Sequence, residues 1–183
     1  GATFPINVTV NPLPTATITA SGATTFCQGG SVTLTANGGT GLSYQWSNGS
    51  NNQTLAVTTA GSYTVTVTDA NGCSSTSAAT VVTVNSLPSA PAITGTAAVC
   101  VGSTTLLSTT ASNPVWSSAN AAVATIAANG LVTGVSAGTV AMTYTTTNAN
   151  GCVNSQSVTV TVNTLPTAAI STMGATTFCQ GGS

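Results

Sequence analysis

Five thiols hold nearly all the covalent chemistry open to this chain: Cys27, Cys73, Cys100, Cys152 and Cys179. Lys, Arg and His are absent, and Asp69 is the single acidic side chain. A thiol becomes a nucleophile when a neighbouring base or cation lowers its pKa, and the composition supplies neither. Zinc favours CxxC pairs, with or without His, and no such pair occurs. The spacing points elsewhere. Cys27 and Cys100 open CQGG and CVGS, Cys73 and Cys152 close NGC, and Cys179 repeats the setting of Cys27. One cysteine at each of two fixed places in a repeating unit reads as a disulfide framework, formed in an oxidising compartment.

The same composition excludes whole classes of function. General acid–base catalysis and transition-state clamping need titratable or charged groups, so no enzyme activity and no cofactor is expected. Nucleic-acid binding needs cations to neutralise phosphate, and recruitment to anionic membranes needs a basic patch. No apolar run approaches the roughly 20 residues of a membrane span. Asp69, in TDANGC, invites a calcium reading, but calcium wants several oxygen ligands and the matching position is Asn148, in TNANGC. An Asx residue opening a turn is the simpler account. LPTA at Leu13–Ala16 and Leu165–Ala168 reads as linker, and the sequons at Asn7, Asn48 and Asn52 as Asn-rich turns. No basic segment and cleavage site opens the chain, which reads as an internal window of something longer.

The elements that carry the cysteines repeat. VTVN occurs at Val8–Asn11, Val82–Asn85 and Val160–Asn163, each time followed by a Pro-containing joint: Pro12–Pro14, Ser86–Pro88 and Thr164–Pro166. GATTFCQGGS recurs unchanged at Gly22–Ser31 and Gly174–Ser183, 152 residues apart. Two related modules therefore alternate. The sequence divides into 1–11, the last strand of a preceding module; 12–85, a first module; 86–163, a second; and 164–183, the start of a third that copies the first.

Within each module apolar residues alternate with Thr, as in Ser31–Ala36, Ser62–Asp69, Thr139–Thr145 and Ser157–Asn163. Period-two alternation marks half-buried antiparallel strands, and the Gly-rich breaks between them mark turns. Many short strands in modules of this size predict an all-β fold, tandem immunoglobulin-like β-sandwiches. Trp46 and Trp116 take the place of the Trp that packs between the sheets of such domains. Leu34, Val65, Tyr63 and Tyr144 complete the expected core.

Residues Trp116–Val140, WSSANAAVATIAANGLVTGVSAGTV, resemble the group 2 bacterial immunoglobulin-like domain of surface adhesins. CQGGSVTLTA, YQWSNG and AGSYTVTVTDANGC of the first module are similar to the immunoglobulin- or PKD-like repeats of giant surface proteins of gliding Bacteroidota. Both resemblances imply tandem extracellular stalk or adhesin repeats on a bacterial surface, and neither implies catalysis.

Two disulfide schemes remain open. Pairing within modules would give Cys27–Cys73 and Cys100–Cys152. In an immunoglobulin-like sandwich, however, Cys27 precedes the strand middle at Leu34 and Cys73 follows the one at Val65. At about 3.3 Å per residue they fall near opposite ends of the domain, whereas a disulfide tolerates about 7 Å between Cα atoms. The favoured scheme joins Cys27 to Cys152 across the joint. Cys73, Cys100 and Cys179 then find partners in modules outside this window.

The function this predicts is mechanical: a segment of a long extracellular fibre or adhesin stalk, with neighbouring modules of the same chain as its partners. One alternative is a self-assembling filament subunit, since neutral Thr-rich strands carry little charge to block edge pairing between copies. Another is a glycan- or protein-binding module, which would have to draw on Tyr44, Tyr63, Tyr144, the two Trp, and Phe4, Phe26 and Phe178. No particular surface ligand is indicated.

Overall fold

A computed structural model of the chain describes residues 6–169 and Gln180, so Phe4, Phe178 and Cys179 lie outside the described residues. Every regular element among the described residues is a strand. The chain forms two compact units. The first runs to Pro88 and includes Asn148–Cys152; the second comprises Ser89–Thr147 and the chain from Val153 onward. Asn148–Cys152, part of the second repeat by sequence, thus belongs to the first unit in space.

In the first unit the chain forms β1 (Ile18–Ala20), β2 (Thr25–Cys27), β3 (Val32–Ala36), β4 (Ser43–Trp46) and β5 (Thr54–Val57). It continues with β6 (Gly61–Tyr63), β7 (Val65–Thr68), β8 (Ser74–Thr76) and β9 (Thr80–Asn85). β1, β3 and β5 make one sheet. Opposite it, β2 pairs in parallel with β9, β9 pairs with β6, and β7 lies between β4 and β8. The alternation of Ser62–Asp69 suggested one strand, but the structure divides it at Thr64, whose N–H turns to Ser47 Oγ at 3.3 Å. Ser77 bridges the matching break between β8 and β9. Its buried hydroxyl accepts the Val65 N–H at 3.1 Å, and its own N–H donates to the Val65 carbonyl at 2.9 Å.

The period of the sequence fixes what is buried. Val32, Leu34 and Ala36 of β3 and Leu55 and Val57 of β5 face Trp46, Tyr63, Val65, Val67 and Val82. The intervening Thr residues face outward, and Thr66 and Thr68 of β7 hydrogen-bond across the pair to Thr76 and Ser74 of β8. The polar tips inside find partners as burial requires. Trp46 Nε1 donates to the Asn52 carbonyl at 2.8 Å, and the Tyr63 hydroxyl donates to the Thr59 carbonyl at 3.0 Å. The latter has the geometry of the tyrosine corner of immunoglobulin-like domains.

The second unit repeats this plan with one addition. Its strands are β10 (Thr94–Gly95), β11 (Ala98–Cys100), β12 (Thr104–Ser108), β13 (Val115–Ser118), β14 (Ala124–Ile126), β15 (Leu131–Gly134), β16 (Gly138–Thr147) and β17 (Val153–Asn163). One sheet has the order β10-β12-β15-β14, the other β11-β17-β16-β13, with β11 parallel to β17. β14 is the extra strand. Leu107, Val132, Val140, Met142, Val160 and Val162 fill the centre. Gly130 holds φ +86°, and a Cβ there would lie 2.1 Å from the Leu107 carbonyl oxygen, so a side chain is barred from this turn.

Trp116 packs against the expected core, but at its margin. It is only half-buried, whereas Tyr144 directly across the strand pair is fully buried. The rings meet edge-on at a centroid distance of 5.3 Å. In the first unit the residue facing Trp46 is Val65, which leaves the interior to the indole. Tyr144 fills that volume, and Trp116 rides on the margin. Both units are immunoglobulin-like β-sandwiches in tandem.

Candidate functional site

The cysteines lie in two local structures, each built twice. The first is the end of the strand that runs parallel to the last strand. Cys27 stands opposite Asn85 in the β2–β9 register, and Cys100 opposite Asn163 in the β11–β17 register. After each cysteine the next N–H continues the ladder: Gln28 donates to the Asn85 carbonyl at 2.8 Å and Val101 to that of Asn163 at 3.0 Å. The chain then turns through a glycine with positive φ, Gly29 or Gly102. The turn closes on the cysteine carbonyl, which accepts from Gly30 at 2.9 Å and from Ser103 at 3.0 Å. A left-handed residue is needed here, which accounts for the glycine in both CQGG and CVGS.

The second structure is the hairpin turn D/N-A-N-G-C. Asp69 Oδ1 accepts the N–H groups of Asn71 and Cys73, both at 2.9 Å, and Asn148 Oδ1 accepts those of Asn150 and Cys152 at 3.1 and 3.0 Å. The single carboxylate of the chain is therefore engaged by its own turn, with Gly72 at φ +80° completing it. Among the described residues no three His, Cys, Asp or Glu side chains gather into a metal-binding group. The two turns differ in one atom. Asn148 has an amide nitrogen where Asp69 has oxygen, and Asn148 Nδ2 donates to the Ser86 carbonyl at 2.8 Å. The Asn-for-Asp difference was visible in the sequence, but the carbonyl it serves was not.

Cys27 and Cys152 are joined by a disulfide, with Cα atoms 5.6 Å apart and a sequence separation of 125. Cys152 is fully buried, and its sulfur lies 4.0 Å from the Asn85 carbonyl oxygen. Cys73 and Cys100 are half-buried and free. Neither of the within-module bonds, Cys27–Cys73 and Cys100–Cys152, is formed. The registers give the reason. Cys27 sits at Asn85, the end of β9, while Cys73 precedes the start of β8. Strand rise places these sites on the order of 40 Å apart, far beyond the roughly 7 Å limit for a disulfide. Cys100, at the end of β17, is separated from Cys152, just before its start, in the same way.

The aromatic side chains offer little to a ligand. Trp46, Tyr63 and Tyr144 are buried, and Phe26, Tyr44 and Trp116 are half-buried. The Tyr44 hydroxyl donates to the Asn37 carbonyl at 2.9 Å and that of Tyr144 to the Pro91 carbonyl.

Residues 15–84 match the PKD domain family. No curated protein sequence matches the chain. Among solved structures, a Ca2+-stabilized adhesin that helps an Antarctic bacterium reach out and bind ice is similar at 18% identity and a TM-score of 0.42, over 84% of this chain and 50% of that one. The fibronectin(III)-like modules of Clostridium thermocellum CbhA align at 12% identity and a TM-score of 0.35, over 85% of this chain and all of theirs. Murine CEACAM1b aligns at 14% identity and a TM-score of 0.35, over 82% of this chain and all of its own. The chain thus spans half the length of the adhesin.

Proposed function

We propose that this chain is a structural segment of a long extracellular fibre or adhesin stalk on a bacterial surface, built from alternating immunoglobulin-like modules and stiffened by disulfides. The observation that carries the reading is the Cys27–Cys152 bond, which ties the strand end of one repeat to the hairpin turn of the next. A disulfide between fixed places of a repeating unit suits an oxidising compartment and a protein whose task is to hold its modules together. The matched PKD family over the first repeat, and an adhesin among the similar structures, are consistent with this role. The group 2 bacterial immunoglobulin-like character of the second repeat and an origin in a Bacteroidota surface protein belong to the same proposal.

In this reading residues 1–11 end a preceding module, 12–85 and 86–163 are whole modules, and 164–183 begin a third. Ile6, Val8 and Val10 support the first assignment. Their alternation matches that of β9 and β17, yet all three are exposed, whereas Val82, Val160 and Val162 of those strands are buried. By the same repeat, Cys73, Cys100 and Cys179 would bond to flanking modules. The segment is no enzyme: it has no base, no cation and no unengaged carboxylate.

Lateral assembly of copies is the second reading. Val115, on the edge strand β13, is exposed beside Ser and Thr with no charge to deter pairing. Immunogold labelling of intact cells with antibodies to this segment tests the proposal. Label on thin projections, lost on brief treatment with an external protease that cleaves after apolar residues, is the expected result. Label confined to the cell interior would refute it.

A further inference from the structure

The disulfide changes which residues carry tension. In a chain pulled from both ends, force follows the shortest covalent path. That path enters β1 and β2, reaches Cys27, crosses to Cys152 and leaves along β17. Strands β3 to β16 lie inside the closed loop. We propose that the Cys27–Cys152 bond is a load bypass: it takes residues 28–151, most of both sandwiches, out of the tension path and makes the segment nearly inextensible. The proposal rests on the reading of the chain as a load-bearing fibre, but its test does not depend on where the protein resides.

The topology gives the size of the effect. Extended chain spans about 3.3–3.6 Å per residue, so a separation of 125 residues conceals roughly 430 Å of contour. The consequence compounds along a repeating fibre. Cys179, the copy of Cys27 one 152-residue period on, follows Cys152 by only 27 residues. With each copy bonded in the same way, the tension path of a period shrinks from roughly 520 Å of extended chain to about 90 Å. Unfolding of a sandwich then adds almost no length, and no tension runs along the backbone of the bypassed strands when the fibre is pulled.

Single-molecule force extension of the whole 183-residue chain, held through thiol-free handles at its two ends, measures this directly. In oxidising buffer the chain should release only the slack outside the loop. Adding dithiothreitol during the pull should release a further ~430 Å. In that step the dithiol gives two electrons and two protons, leaving two cysteine thiols and its own cyclic disulfide. The wild-type molecule before reduction is its own control, so the test does not depend on a variant folding. Full-length extension before reduction would overturn the proposal. So would a reducible gain of only about 90 Å, the length that a Cys73–Cys100 bond would conceal.

Discussion

Apart from the added β14, the two sandwiches share a strand order but fill their centres differently. In the first, Trp46 faces Val65 and is buried, with its indole N–H satisfied by Asn52. In the second, the same place is shared by Trp116 and Tyr144, and the tyrosine takes the interior while the tryptophan packs, half-buried, against the margin of the core. Two residues further along the same strands, Val67 in the first unit is matched by Thr146 in the second. Thr146 is also buried, and its hydroxyl donates to the Ser112 carbonyl at 2.7 Å. One fold therefore tolerates two solutions to the same layer, provided volume is conserved and each polar tip finds a partner. The cysteines show a second contrast. Positions of the same local geometry are bonded in one case and free in the other, because a strand end and a hairpin turn of one module can never meet.

Exchanging or deleting these groups would test the contrast. The largest effect is expected at the tryptophans. Trp46→Ala should cost about 3–5 kcal/mol, and Trp116→Ala less, because Trp116 is only partly buried at the edge of its core. Urea unfolding followed by far-UV circular dichroism measures both. Equal losses would mean that the two layers are equivalent after all. Removing the disulfide with Cys27→Ala and Cys152→Ala should cost about 2–4 kcal/mol under non-reducing conditions. Cys73→Ala and Cys100→Ala should leave the denaturation midpoint of this chain almost unmoved.

Smaller effects separate the polar details. Val67→Thr should destabilise the first unit by about 1–3 kcal/mol, since the hydroxyl enters a buried site with no partner. Thr146→Val should cost a similar amount, by leaving the Ser112 carbonyl without its donor. Smallest of all, Asn148→Asp should cost about 0.5–1.5 kcal/mol, because an ionised carboxylate cannot donate to Ser86. The reciprocal Asp69→Asn should be close to neutral, and thermal melts of the two variants compare them directly.

Much of this architecture is legible in the sequence because Val and Thr alternate with little interruption through β3, β7, β16 and β17, and alternation is what a half-buried strand requires. The division at Thr64 is not legible, since the alternation runs straight through it and only the Ser47 hydroxyl marks the break. β10 and β14, of two and three residues, are too short to carry a period. The place of Trp116 depends on what stands across from it, which is a matter of register rather than of residue type. At the cysteines the repeat identifies two kinds of position. The parallel pairing of β2 with β9 shows that the two kinds lie at opposite ends of a module.

The central claim is tested most directly by peptide mapping without reduction. Chymotrypsin, cutting after Phe26, Leu34, Tyr63, Leu106 and Tyr144, places Cys27 and Cys152 in separate peptides, each apart from the one that carries both Cys73 and Cys100. The account predicts a disulfide-linked species made of the Cys27 and Cys152 peptides. A species joining Cys27 to Cys73, or Cys100 to Cys152, would contradict it.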